Sequence, residues 1–260
     1  MLFAPGRSGR PGAWLPEIEP QTEAELESCP FCAGREDRTP PQTLVLGDPW
    51  SVRVVPNLYP AFERQEVVIH TPEHIRSFAE LDDDQIALIA EAWQERRAAE
   101  PDGELLAIVN EGRLAGASLP HTHSQLIWMS ERPPAVAAEH PERLSELLAD
   151  ELLRRGGVVA AVHPFGAGPY ECLIGPPDGE GALGEGLVLL RELVRRLRAV
   201  EGARPWNAWR HEGPPWHIHF APRLTALAAV ELGAGIFINV MPPEQAADRL
   251  KRLPEEPAPR

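Results

Sequence analysis

His121-Thr122-His123-Ser124-Gln125 offers the clearest chemistry in this chain of 260 residues. Alternate residues of a strand share a face, so His121, His123 and Gln125 are expected to point the same way. A neutral imidazole can attack a phosphoanhydride and form a phosphoramidate, splitting one displacement into two. Gln125 can donate a hydrogen bond but has no proton to give to a leaving group. That suits a leaving group that is already weakly basic, such as a phosphate ester, and favours a phosphate acceptor over water. On the motif alone, a pair of structural or metal-binding histidines is the alternative.

Such a strand needs a scaffold, and the rest of the chain supplies its outline. β-Branched runs between Gly, Pro and Asn predict strands at 43–46, 51–55, 66–70, 105–109 and 124–129. Ile86, Ile89, Ala90 and Trp93 recur at helical spacing, which predicts a helix over 81–97 with Asp82 to Asp84 complementing its dipole. The charged stretch 142–155 reads as another helix. A second pass of the pattern follows, with strands at 158–163 and 171–174, a helix at 183–200 and a strand at 216–222. The last carries His217-Ile218-His219, an echo of His121-Thr122-His123, and 163–178 echoes 57–74. The expectation is an α+β fold of two related halves, 1–155 and 156–260, sharing a largely antiparallel sheet with flanking helices. Ala221 stands where the first half has Gln125, so the chemistry is expected in the first half.

Composition narrows the function classes. With 43% apolar residues the chain can bury one large core or two small ones, and its 29 prolines and 21 glycines imply many turns. A net charge of −14 argues against a nucleic-acid or anionic-membrane surface, although a local basic cluster can still hold a nucleotide. Apolar runs such as 224–230 are too short for a bilayer and no charged-then-apolar leader opens the chain, so a cytoplasmic protein is expected. Three cysteines, with Cys172 isolated, make no disulfide framework. Cys29-Pro30-Phe31-Cys32 reads as a metal knuckle or a redox pair; its loop-rich surroundings disfavour the redox motif, which should open a helix. Arg7 and Arg10, in a Gly/Pro loop, are solvated cations or bidentate phosphate ligands. Asn57 and Asn110 read by themselves as turn formers, and Gly116 and Ser118 as loop residues. Glu131 and Arg132 read as surface charges. The proline-rich tail after Leu253 is expected to be disordered.

Together these residues resemble the galactose-1-phosphate uridylyltransferase family of the histidine-triad superfamily, from Arg7 to about Pro222. The likeness rests on His-x-His-x-Gln preceded by Gly116, Ser118 and Pro120, on Cys29-x-x-Cys32, on Pro72-Glu73-His74, and on Arg7-Ser8-Gly9-Arg10-Pro11. It implies two histidine-triad-like halves forming a half-barrel. It also implies that His123 is the nucleophile and that Gln125 bonds a phosphoryl oxygen. Asn57, Asn110, Gly116 and Ser118 fall on positions lining the nucleotide and phosphate pocket, and Arg7 and Arg10 on the basic pair that faces the phosphates. Zinc is implied on Cys29, Cys32, His74 and His121. A second metal, iron or zinc, is implied on Glu139, His211, His217 and His219. The linker from His211 to His217 is short for the family, which leaves His211 open as an exposed loop histidine.

The reaction so implied moves UMP between a UDP-hexose and a hexose 1-phosphate, and a homodimer with sites near its interface is common in the family. Some positions depart from the pattern. Leu119 stands where asparagine is usual, Thr122 and Ser124 where proline and glycine are usual, and 235–239 lacks the family's Tyr-Glu pair. His-x-His-Ser-Gln occurs in relatives acting on adenine nucleotides. An ADP-sugar or dinucleoside polyphosphate phosphorylase is therefore the first alternative, and a non-catalytic, metal-stabilised nucleotide-binding protein the second.

Overall fold

A computed structural model describes residues 1–10 and 13–252; the tail expected to be disordered, 253–260, lies outside the described residues, as do Pro11 and Gly12. Twelve strands are described: β1 (Leu2–Phe3), β2 (Leu44–Leu46), β3 (Val52–Pro56), β4 (Arg64–Ile69), β5 (Glu104–Glu111), β6 (His123–Met129), β7 (Glu151–Arg155), β8 (Val158–Val162), β9 (Cys172–Gly175), β10 (Trp206–His211), β11 (His217–Pro222) and β12 (Ile238–Asn239). Ten of them form one sheet in the order β2-β3-β4-β6-β5-β10-β11-β9-β8-β7, every neighbouring pair antiparallel. The order β2-β3-β4-β6-β5 recurs as β7-β8-β9-β11-β10, and the two sets join at β5 and β10. Separately, β1 pairs in parallel with β12, tying the start of the chain to 238–239. The fold is α+β, built on a large antiparallel sheet with flanking helices.

The sheet buries one face under two helices, Asp83–Ala99 and Leu183–Glu201, which also pack on each other. Ile86, Ile89 and Trp93 of the first helix meet Val54, Val68 and Leu126 of the strands in one apolar cluster. Leu187, Leu190 and Leu193 of the second join Ile174, Ile218 and Phe220 in the same cluster. The Asp82 carboxylate accepts from the Gln85 N–H at 2.7 Å and caps the first helix, so that the helix starts at Asp83 rather than at Leu81.

The opposite face carries the polar residues singled out above. Period-two alternation and the register Val67↔Gln125 and Ile69↔His123 put Gln125 and His123 on the same face as Val67 and Ile69. There Val55, Val67 and Ile69 pack with Cys29 and Phe31, so the Cys-x-x-Cys loop lies on that face of β3 and β4.

Two predicted elements are corrected. The helix expected over 142–155 is a short helix at Leu144–Leu147 followed by strand β7. Glu, Leu and Arg favour helix locally, but the Gly156-Gly157 turn, with Gly156 at φ +52°, folds 151–155 back as an edge strand on β8. Strand β10 has no counterpart among the predicted strands. Trp206 and Ala208 enter the core while Asn207, Trp209 and His211 alternate onto the polar face, an amphipathic strand hidden by its two tryptophans and its arginine.

Candidate active site and metal centres

His123 opens β6 and is 6% exposed. Its Nδ1 lies 2.7 Å from the backbone carbonyl of His121, which can only accept, so Nδ1 carries the proton and Nε2 the lone pair. Nε2 has no hydrogen-bond partner among the described residues. Burial pushes the His123 pKa down, which keeps the ring neutral. The Phe31 ring makes edge-to-face contacts with both histidines, its centroid 5.4 Å from that of His123 and 5.8 Å from that of His121.

Gln125 is oriented as well as placed. Its Oε1 accepts from Asn57 Nδ2 at 3.3 Å and from Gln65 Nε2. Asn57 is itself fixed, because its Oδ1 accepts from the Tyr59 N–H at 2.9 Å. With the amide oxygen engaged twice, the Gln125 NH2 is the free end, a donor on the same face as His123. Asn110 is held in the same manner. Its Oδ1 accepts from Asn207 Nδ2 at 2.7 Å, and Asn207 also donates to the Ala115 carbonyl. A Cβ built on Gly116 would approach Asn110 Nδ2 at 3.9 Å, and Gly116 has φ +92°, a conformation that favours glycine. Gly116 and Ser118 lie in the β5–β6 loop, both exposed. Gln65 and Asn207 are not legible in the sequence as site residues: each acts through long-range strand pairing, and Asn207 sits on the unpredicted strand β10.

The first cluster gathers Cys29, Cys32, His74 and His121, whose ligand atoms lie within 4.8 Å of one another. Cys29 Sγ is 3.4 Å from His121 Nδ1, and Cys32 Sγ is 3.3 Å from His74 Nδ1 and 3.8 Å from His121 Nδ1. Tetrahedral bonds of about 2.3 Å to sulfur and about 2.0 Å to nitrogen require edges of roughly 3.5 Å, so the set fits one ion. The far nitrogens are engaged too. His121 Nε2 donates to the Thr71 carbonyl at 3.0 Å, and His74 Nε2 to Glu25 Oε1 at 2.9 Å, which leaves both Nδ1 atoms as ligands. Burial and the neighbouring Cys29 raise the Cys32 thiol to about 11, and burial lowers His121 to about 4; a bound cation reverses the penalty on the thiolates. Glu25 is not legible either, since nothing in the sequence ties it to His74.

The second cluster gathers Glu139, His211, His217 and His219 on the same sheet face. Glu139 reaches His211 Nδ1 at 2.8 Å, His217 Nε2 at 3.0 Å and His219 Nε2 at 3.1 Å. Ligand atoms about 2.1 Å from a common centre stand roughly 3.0–3.4 Å apart, so this set can also converge on one ion. Burial would raise the Glu139 carboxyl, but the three histidines bonded to it hold it far below the carboxylate range. His211 is no exposed loop residue: it is 5% exposed and pairs directly with His217 across β10 and β11, so the short linker is a hairpin. Trp209 stacks on His219 at 4.8 Å and Glu171 Oε1 lies 3.8 Å from its Nδ1; the sequence carries no sign of either contact.

Arg7 and Arg10 are exposed, and their segment is fixed by bonds from Leu2 to Phe237, from Ala4 to Asn239 and from Leu15 to Leu224. Among the described residues no contact joins them to His123. A cleft of about 870 Å³ lies beside the first cluster, lined by Cys29, His74, Arg76, Arg113 and Ser118. His123 and Asn110 line a narrow recess that shares Ala117, Leu119 and Pro120 with it. No helix among the described residues is long and apolar enough to cross a membrane.

The chain is similar to known proteins in sequence and fold. Residues 59–134, which include β4, β5 and β6, match the N-terminal domain of galactose-1-phosphate uridyl transferase. ADP-glucose phosphorylase of Arabidopsis thaliana is 25% identical over 97% of this chain and 90% of its own length. Galactose-1-phosphate uridylyltransferase of Streptomyces lividans is 27% identical over 87% of this chain and 79% of its own. Both relatives are enzymes. The solved structure of the Arabidopsis thaliana ADP-glucose phosphorylase with bound ADP-glucose has the same fold, with a TM-score of 0.82 at 22% identity over 96% of this chain and 94% of that one. A uridylyltransferase structure gives 0.72 at 23% identity, over 91% and 93%. In its ten-stranded antiparallel sheet and in the domain match across the His-x-His-x-Gln strand, the chain is similar to the galactose-1-phosphate uridylyltransferase family.

Proposed function

We propose that this protein is a nucleotidyltransferase in which His123 takes the nucleotidyl group from a nucleoside diphosphate sugar and passes it to a phosphate acceptor. The carrying observation is the His123 ring, neutral, with Nδ1–H bonded to the His121 carbonyl and Nε2 unpartnered. The Nε2 lone pair attacks the α-phosphorus, an N–P bond forms, and the sugar 1-phosphate leaves with the electrons of the broken P–O bond. The carbonyl at Nδ1–H offsets the positive charge that grows on the ring. An acceptor phosphate oxygen then attacks the same phosphorus, and the N–P electrons return to Nε2. The Gln125 amide N–H bonds a phosphoryl oxygen, with Asn57, Asn110, Gly116 and Ser118 lining the nucleotide and phosphate pocket. Phosphoryl transfer rests on position and charge more than on proton traffic, which suits a glutamine there.

Zinc on Cys29, Cys32, His74 and His121 serves structure: all four positions are protein ligands, and it pins the loop whose carbonyl holds His123. Glu139, His211, His217 and His219 hold a second ion, zinc or iron. Exposed apolar side chains on β1, on the short helix Ala229–Ala234 and just before β12, among them Leu2, Val230, Leu232 and Phe237, support a homodimer in which Arg7 and Arg10 serve the partner's phosphates.

Two substrate readings remain. The Streptomyces relative supports UMP transfer between UDP-glucose and galactose 1-phosphate. ADP-sugar phosphorolysis, with inorganic phosphate as acceptor, has the better support: the longer match to the Arabidopsis relative, and Ser124 before Gln125. The test incubates the protein with ADP-glucose or UDP-glucose, each with phosphate or galactose 1-phosphate. The expected outcome is ADP and glucose 1-phosphate from ADP-glucose plus phosphate, through an acid-labile adduct absent in His123→Asn. Binding of both nucleotide sugars without adduct or turnover would leave a non-catalytic nucleotide-binding protein.

A further inference from the structure

Equivalent strands in the two halves of the sheet have different chemistry beneath them. On the core face of β6, Thr122 and Ser124 flank His123, and the ring of His70 lies against both. Its Nδ1 is 3.0 Å from Thr122 Oγ1 and its Nε2 is 2.9 Å from Ser124 Oγ. Trp93 donates its indole N–H to the same serine hydroxyl at 2.9 Å. His70, Thr122, Ser124 and Trp93 are all buried.

The register identifies the counterparts. His219 stands opposite Leu173 on β9 as His123 stands opposite Ile69 on β4. Ile174 and Ile218 therefore occupy the places of His70 and Thr122, and Phe220 that of Ser124. Apolar side chains alone fill this position under β11. Burying three polar side chains costs desolvation that an apolar set avoids, so packing gives no reason for them under β6. The strand above them is the one with His123 and Gln125.

We propose that His70 is a positioning residue for His123, gripping the hydroxyls on either side of it from the far face of β6 and so setting the strand's rotation. Side chains on opposite faces of a strand turn together about its axis. Nε2 of a histidine stands roughly 6 Å from that axis, so a rotation of about 10° moves it about 1 Å, and a misplacement of that size can cost about 10²-fold in rate. The proposal rests on His123 being the nucleophile.

The test is single-turnover labelling of His123 by ADP-glucose labelled in the α-phosphate, with UDP-glucose in parallel. His70→Ile/Thr122→Ile copies the Ile174–Ile218 pair and keeps the core apolar. Its melting temperature and bound zinc are expected to stay close to wild type. Its labelling rate at saturating nucleotide sugar is expected to fall about 10- to 100-fold, with the half-saturating concentration within about twofold. His70→Gln, which keeps a polar group facing Ser124, is expected to recover part of the rate lost in His70→Ile. A folded double variant labelling at the wild-type rate overturns the proposal. If the double variant does not fold, equal rates for folded wild type, His70→Gln and His70→Ile overturn it instead. No adduct in the wild type with either nucleotide sugar removes the catalytic reading and this proposal with it, whereas a labelled wild type makes the variant rates a test of His70 alone.

Discussion

At Gln125 the structure supplies what the residue type alone does not: a direction. An unrestrained glutamine amide could present its oxygen to a phosphate and repel it. With Asn57 and Gln65 both donating to Oε1, the NH2 end faces outward at no cost in the transition state. Gln125→Glu keeps the size and both donors but replaces the outward NH2 with a second carboxylate oxygen. Adduct formation is expected to fall by at least about 10²-fold in that variant, the loss typical of one preorganised donor. Asn57→Ala is expected to cost less, because Gln65 still holds the oxygen. Rapid-quench labelling separates the two; a Gln125→Glu variant as fast as wild type would rule out the donor role. The alignment of His121, His123 and Gln125 was legible because a strand's period is two and the three lie two apart. Gln65, Asn207 and Glu25 were not, because each meets its partner only after distant segments pair. His70 was hidden for the same reason: nothing in 66–70 indicates that its ring will lie under Thr122 and Ser124.

Elements that hold the site divide into those with strong local signals and those decided by packing. Both long helices were legible from apolar spacing, and most strands from β-branched runs between turn residues. β7 was not, since its Glu, Leu and Arg favour helix until the edge of the sheet claims them. The knuckle loop is fastened from outside by Glu25, which accepts from His74 Nε2 at 2.9 Å and forms an ion pair with Arg76, 2.8 Å from its Nε. Partners of that kind typically change metal affinity by about 10- to 100-fold, so Glu25→Ala is expected to release zinc to a chromophoric chelator at a correspondingly lower chelator concentration. Unchanged zinc affinity would remove Glu25 from the site. Between the helices, Arg191 donates to the Leu81 carbonyl at 3.0 Å and to Asp83 Oδ1 at 2.5 Å. The Arg191 hydrogen bond is the largest cause holding the Asp83 carboxyl below its ordinary range. A depressed carboxyl contributes stability above its unfolded pKa and loses it as pH falls through the folded value. Asp83 is half exposed, so Asp83→Asn is expected to cost less than about 1 kcal/mol at neutral pH. The gap from wild type should narrow as the solution is acidified, and urea midpoints across that range test the sign. A gap that widens in acid contradicts the pairing.

Over the whole molecule, one face of one sheet carries both histidine clusters, one in each half, while the arginines read as phosphate ligands are fixed to the far end of the chain. Leu2 pairs with Ile238, and Ala4 donates to the Asn239 carbonyl, so Arg7 follows the β1–β12 ribbon rather than β6. A net charge of −14 makes unaided capture of an anionic nucleotide sugar unfavourable, and Arg7 and Arg10 would add to the cations of Arg76 and Arg113 that line the cleft. The ribbon and adjoining helix expose Leu2, Phe3, Val230, Leu232, Ile236 and Phe237, an apolar surface that a second copy can cover. In a symmetric dimer each copy offers the same patch, so a segment lying on it is brought against the other copy. Two outcomes follow for the 28.6 kDa chain. Wild type is expected to sediment as a dimer, and Leu232→Glu as a monomer with little activity. His123→Asn chains and Arg7→Ala/Arg10→Ala chains, each nearly inactive alone, are expected to complement when mixed and allowed to exchange. Half of the dimers are then mixed, one of their two sites has both His123 and the arginines, and activity approaches about a quarter of wild type. Exchange without recovery means that the arginines serve their own chain or none, and sedimentation of the wild type as a monomer removes the shared site altogether.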